Sequence, residues 1–106
     1  MVMQPTCRME LVDEGDVTTL HLVGELDVAA VPHLRECFHL LAHANKVNVV
    51  ADLSELDFID STGIGGLVAG LKRMREHGGE LRLKSPSERV MKVLEITGLD
   101  RVFTIA

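Results

Sequence analysis

The sequence contains no tryptophan and no tyrosine, and its only phenylalanines are Phe38, Phe58 and Phe103. Single-stranded nucleic acid is held on aromatic platforms and duplexes on a basic stripe. Neither is available, because 16 acidic residues against 11 Lys and Arg leave a net charge of −5. Direct nucleic-acid binding is therefore excluded. A protein partner would have to be met by aliphatic, backbone and charged groups, since the usual aromatic interface anchors Tyr and Trp are missing. Cysteine is scarce too. Cys7 and Cys37 are the only two in 106 residues, too few for a disulfide framework in a chain this long. Both are expected to pack as small apolar groups in a reducing compartment. Long apolar runs are also lacking: the longest near-apolar stretch, residues 64–71, contains three glycines, and residues 1–7 show no basic segment followed by an apolar one. Neither a membrane span nor an export signal is expected, and a cytoplasmic location is.

What is present is the material of one folded domain over residues 1–106, with 46% hydrophobic and 25% charged residues. The hydrophobic period switches repeatedly between that of a strand and that of a helix. Residues 8–12 and 17–23 alternate around Met9, Leu11, Leu20 and Leu22, and Asp13-Glu14-Gly15-Asp16 between them reads as a hairpin turn. Gly24-Glu25-Leu26-Asp27 is expected to break the second strand. Val31, Leu34, Phe38 and Leu41 then mark one helix face, with Pro32 in the first turn. Residues 47–53 read as a central strand. A second helix starts at Ser61 and ends at Gly78-Gly79, residues 80–84 form a short strand, and Ser85-Pro86-Ser87-Glu88 has capping-box spacing ahead of a third helix. Residues 102–105 are expected to form a last strand. The order is ββαβαβαβ, an α/β class with a mixed sheet: an opening hairpin, then parallel strands joined by right-handed crossovers. Strands one, two and four each keep a polar face, so the helices should crowd one side of the sheet.

The densest cluster of unusual choices runs from Asp52 to Leu67. Asp60 or Ser61 suits the N-cap of the second helix, a role that contributes about 1 kcal/mol. Capping does not account for Gly63, Gly65 and Gly66, each of which costs about 0.8–1.0 kcal/mol relative to Ala within a helix. Such a start implies close approach by another backbone or a bulky group. It also suits an anion, because free N–H groups and the positive end of the dipole face outward there. A bound phosphate ligand is disfavoured by the missing Walker lysine and the absence of a Gly-x-Gly-x-x-Gly run. A phosphoryl group carried by Ser61 itself fits better. Asp60-Ser61-Thr62-Gly63 has one residue too many for an aspartic-protease loop, and Ser61 lacks a nucleophile elbow, so an enzyme is not expected. His39 and His43 are four apart on one helix face but have no third ligand by spacing, and read as solvated. No metal or other cofactor is called for.

Five segments in order, Gly24-Glu25-Leu26-Asp27, Asp52-Leu53, Phe58-Ile59-Asp60-Ser61-Thr62-Gly63-Ile64-Gly65, Gly78-Gly79-Glu80-Leu81 and Thr97-Gly98-Leu99, closely resemble the STAS domain of bacterial anti-sigma factor antagonists. The resemblance implies the STAS fold and a partner switch. Ser61 matches the serine phosphorylated by an anti-sigma factor that is a histidine-kinase-like ATPase acting as a serine kinase. A PP2C-like phosphatase resets it. Unphosphorylated, such a domain binds the kinase and frees the sigma factor; phosphorylated, it lets go. Asp27 matches the acid beside the switch, and Asp27, Asp60, Ser61, Thr62, Gly63, Gly65 and Gly66 are the expected contact residues. The rival reading is a non-switching STAS module, such as the accessory subunit of a lipid-transporting ABC complex or a stress-signalling scaffold, in which the serine is only a cap. A small-molecule sensor is disfavoured because little core volume is left for a pocket. Family members usually continue into a C-terminal helix. Either the core manages without it or another chain covers the gap, and a homodimer through that face is expected.

Overall fold

The computed structural model describes residues 6–106, in the element order β1 (Cys7–Asp13), β2 (Thr18–Leu26), α1 (Val31–His43), β3 (Asn48–Ile59), α2 (Ser61–Glu76), β4 (Glu80–Lys84) and α3 (Glu88–Ile96). The four strands lie side by side in the order β1-β2-β3-β4. β1 pairs antiparallel with β2, whereas β2–β3 and β3–β4 are parallel. The expected mixed sheet is therefore present, with one change at its end. Residues 102–105 make only a single parallel bridge, Leu83 to Ile105, and a 3-10 turn at Leu99–Arg101 precedes it. The run is too short and too tightly turned to lie along more of β4.

Side-chain alternation puts the core on one side of the sheet. Leu11, Leu20, Ala51 and Leu83 stand opposite one another across the four strands, as do Thr18, Val49 and Leu81 across three. Leu20, Ala51, Leu81 and Leu83 are fully buried, beneath Leu34 and Phe38 of α1, Leu67, Leu71 and Met74 of α2, and Val90 and Leu94 of α3. The opposite face carries a transverse row of Glu10, His21, Asp52 and Lys84. Within it His21 Nδ1 lies 3.3 Å from Asp52 Oδ2.

Two strands run further than their alternation predicts. Gly24 does not break β2. It sits at φ +105°, where an added Cβ would press on the Thr6 carbonyl, and pairing continues to Leu26. β3 likewise continues to Ile59 through two register shifts, one between His21 and Val23 and one between Gly24 and Glu25 on its partner strand. The cap of α3 is also displaced. Ser87 rather than Ser85 accepts from an amide of the first turn, that of Val90 at 3.2 Å, while Ser85 sits at φ +53° outside the helix.

Candidate functional site

The long course of β3 delivers Asp60 and Ser61 to the end of the sheet where β2 runs into α1. The Asp60 amide donates to the Leu26 carbonyl at 3.3 Å, which ties the two chain segments together. Gly63 makes the junction possible, because a Cβ there would collide with the Leu26 carbonyl oxygen. Gly66 performs the same service one turn later against Leu34, where an added Cβ would come within 2.9 Å of a methyl. The close approaches inferred from these two glycines are thus made by the protein's own backbone and core.

Gly65 is different. It is exposed, and a Cβ added to it would meet no atom of the described structure within 4 Å. It lies four residues after Ser61, so the two share one face of α2. Ser61, Thr62, Gly65 and Ala69 are all exposed along that face, which presents a flat surface of small side chains beside the hydroxyl.

The cap falls to Asp60. Its Oδ1 accepts from the Gly63 amide at 2.8 Å and from the Thr62 hydroxyl at 2.6 Å. Those two donors, the Thr62 hydroxyl first, hold the carboxyl below its usual value, and the nearby Val28 amide adds to them. Asp60 is therefore an anion at neutral pH. Ser61 is the first residue of α2, and its hydroxyl makes no side-chain hydrogen bond among the described residues. The uncommitted hydroxyl stands at the positive end of a 16-residue helix.

Asp27 lies across the junction in the β2–α1 loop, half-buried. Its Oδ1 accepts from the Thr6 hydroxyl at 2.8 Å and from the Ala29 and Ala30 amides at 3.1 and 3.3 Å. It shapes the loop that starts α1, whose own N-cap position, Ala30, offers no side-chain acceptor. Asp27, Asp60, Ser61, Thr62 and Gly65 thus meet at one corner, while Gly63 and Gly66 are buried beneath it.

Two apolar side chains that the sequence pattern does not mark as contact residues flank this corner. Val28, next to Asp27, is 66% exposed, and Phe58, two residues before Asp60, is 39% exposed. No sequence signal marks Phe58, because it is the register shifts of β3, seen only in the structure, that turn it out of the core rhythm set by Leu53, Leu56 and Ile59. The other residues considered lie elsewhere. His39 and His43 stack with ring centroids 6.4 Å apart, and Arg73 Nη1 lies 3.0 Å from His39 Nδ1. A surface groove of about 360 Å3 along the α1–α2 seam, lined by Arg35, Phe38, Gly70 and Lys72 among others, does not include Ser61.

Residues 8–106 match the model of the STAS domain family. The chain is 34% identical over 94 residues to an anti-sigma-B factor antagonist of Bacillus subtilis (strain 168), covering 89% of this chain and 84% of the relative. It is 36% identical over 76 residues to an anti-sigma-B factor antagonist of Staphylococcus aureus (strain NCTC 8325), covering 72% and 70%. Among solved structures, the anti-sigma factor antagonist SpoIIAA in its unphosphorylated form superposes with a TM-score of 0.81 at 25% identity, covering 93% of this chain and 88% of that one. With nearly its whole length accounted for by one family model and a fold shared with that structure, the chain belongs to the STAS domain family.

Proposed function

We propose that the protein is an anti-sigma factor antagonist switched by phosphorylation of Ser61. The unmodified form binds, in the cytoplasm, an anti-sigma factor that is a histidine-kinase-like ATPase and serine kinase, and so frees the sigma factor. Transfer of a phosphoryl group from ATP to the Ser61 oxygen ends the interaction, and a PP2C-like phosphatase hydrolyses the ester. The protein is substrate and binding partner, not catalyst. The observation that carries this reading is the division of labour at the start of α2: Asp60 caps the helix and leaves the exposed Ser61 hydroxyl without a structural task. The flat surface beside it at Gly65 gives a kinase room to approach.

The physics of release follows from charge. A phosphoryl group adds about −1.5 to −2 charges, here beside an Asp60 carboxylate that is already ionised. In the free protein, solvent and the positive helix end accommodate it. In a complex, the dianion would have to be desolvated against the partner. Turning a 99:1 bound population into 1:99 requires about 5.5 kcal/mol of differential affinity, and burial of an unpaired multiply charged group reaches that scale.

The test is incubation of the protein with its cognate kinase and ATP. One phosphate is expected at Ser61, none in Ser61→Ala, and Ser61→Asp is expected to bind the kinase at least tenfold more weakly. A phosphate mapped to another residue, or unchanged binding by Ser61→Asp, would favour the non-switching STAS module instead.

A further inference from the structure

The sheet has two edges, and they are not equivalent. The outer edge of β4 is taken by the end of the described chain, where the Leu83 and Ser85 amides donate to the Thr104 and Ala106 carbonyls and the Ala106 amide donates to Leu83. Among the described residues nothing pairs with the outer edge of β1. The Glu25 amide donates to the Thr6 carbonyl at 2.8 Å, which fixes the phase of the β1–β2 ladder. Even-numbered residues of β1 turn their backbone groups towards β2, and Cys7, Met9 and Leu11 turn theirs outward.

We propose that this edge is the seam of a symmetric dimer, in which β1 pairs antiparallel with β1 of a second copy about a two-fold axis at Met9. The charge pattern of the strand selects that partner and that register. Arg8 and Glu10 lie on one face, both well exposed, with Arg8 Nε 3.4 Å from Glu10 Oε1 within the chain. Centred on Met9, Arg8 stands opposite Glu10 of the partner subunit, and the two-fold axis makes the pair twice. Centred one residue either way, Arg8 would face its own copy or Glu10 its own, and like charges directly opposite are destabilising. Charged side chains on an edge strand ordinarily repel an added strand. Here the axis matches their signs, so the same charges that turn away other strands admit this one. The dimer would also extend the polar row of the open face, because Glu10 already stands in line with His21, Asp52 and Lys84.

The other face of the seam is apolar. The same register sets Met9 against Met9 of the partner subunit and Leu11 against Cys7 of the partner subunit. Leu11 is 43% exposed in the single chain. Leu40, 54% exposed, comes one turn after Cys37, whose Sγ lies 4.0 Å from Met9 Sδ, and so sits on the flank of α1 above this edge. A second copy would cover both leucines.

The experiment is sedimentation equilibrium of the unmodified full chain at low ionic strength, with Arg8→Glu, Glu10→Arg and the double reversal. A wild-type dimer is expected, weakened about tenfold or more by either single reversal and recovered in the double one. An equimolar mixture of the two single variants should associate more tightly than either alone, since the Arg8→Glu strand is acidic at both positions and the Glu10→Arg strand basic at both. That arm does not depend on the Arg8–Glu10 contact within each chain. A wild-type chain that stays monomeric across the concentration range, single reversals without effect, or a mixture no tighter than its components would each overturn the proposal.

Discussion

At the scale of single residues, adjacent positions at the start of α2 have been given unlike tasks. Asp60 accepts two hydrogen bonds inside the protein, whereas Ser61 offers its hydroxyl to whatever lies outside. Asp60→Ala should lower stability to urea by about 1 kcal/mol, the usual loss for a capping side chain. Ser61→Ala should change it by no more than about 0.5 kcal/mol. Equal losses would mean that the serine shares the cap and would weaken the case for a switch. The pH dependence has a definite sign. The folded-state carboxyl of Asp60 lies below its ordinary value of 3.8, so its stabilisation is present above that pH and is lost as pH falls through the lower, folded value. Any advantage of wild type over Asp60→Asn, which keeps an acceptor but no charge, should fade in urea titrations below pH 3.8. This partition was only half legible in the sequence. Asp60 and Ser61 were equally good caps on composition, and only the direction of the Asp60 side chain towards the Gly63 amide separates them.

At the scale of elements, α2 opens with glycines that answer to different neighbours. Gly63→Ala forces a methyl onto the Leu26 carbonyl and should cost about 1–3 kcal/mol, the range for overpacking. Gly65→Ala meets open space and should stabilise the helix by about 0.8–1.0 kcal/mol, while weakening binding to the anti-sigma factor if that face is the docking surface. Thermal melts and titration against the kinase would separate the two effects. A Gly65→Ala protein that melts higher and binds as well would place the interface elsewhere. The helices and β4 were legible because each has an unbroken period and explicit terminators, such as Gly78 at φ +82°. The ends of β2 and β3 were not. Register shifts break the two-residue rhythm without ending the pairing, so the strands that carry Asp27 and Asp60 to one corner look shorter in sequence than they are. The last expected strand failed for the opposite reason: residues 102–105 alternate like a strand, but the preceding 3-10 turn leaves room for one bridge.

At the scale of the molecule, the core is a single layer between one sheet face and three helices, and both thiols lie within it. Cys7 is 2% exposed and Cys37 7%. Burial, first among the causes, pushes the Cys7 thiol up to about 11 and the Cys37 thiol upward as well. Neither should offer a thiolate at neutral pH unless the layer opens. Iodoacetamide is expected to leave both unmodified in native buffer and to alkylate both in denaturant, as read by intact mass. Rapid labelling of either in the native protein would show that the β1–α1 side opens on its own.

The strand order has a consequence for how the molecule comes into being. β1 to β4 stand in the sheet in the order in which they occur in the chain. During synthesis each emerging strand therefore finds its neighbour already made, and none has to be inserted between two others. Loop-closure distances stay modest and assembly can advance with the ribosome, from hairpin to β3 to β4. The Thr104–Ala106 segment, which hydrogen-bonds to Leu83 and Ser85, follows β4 in the chain and covers its outer edge in turn.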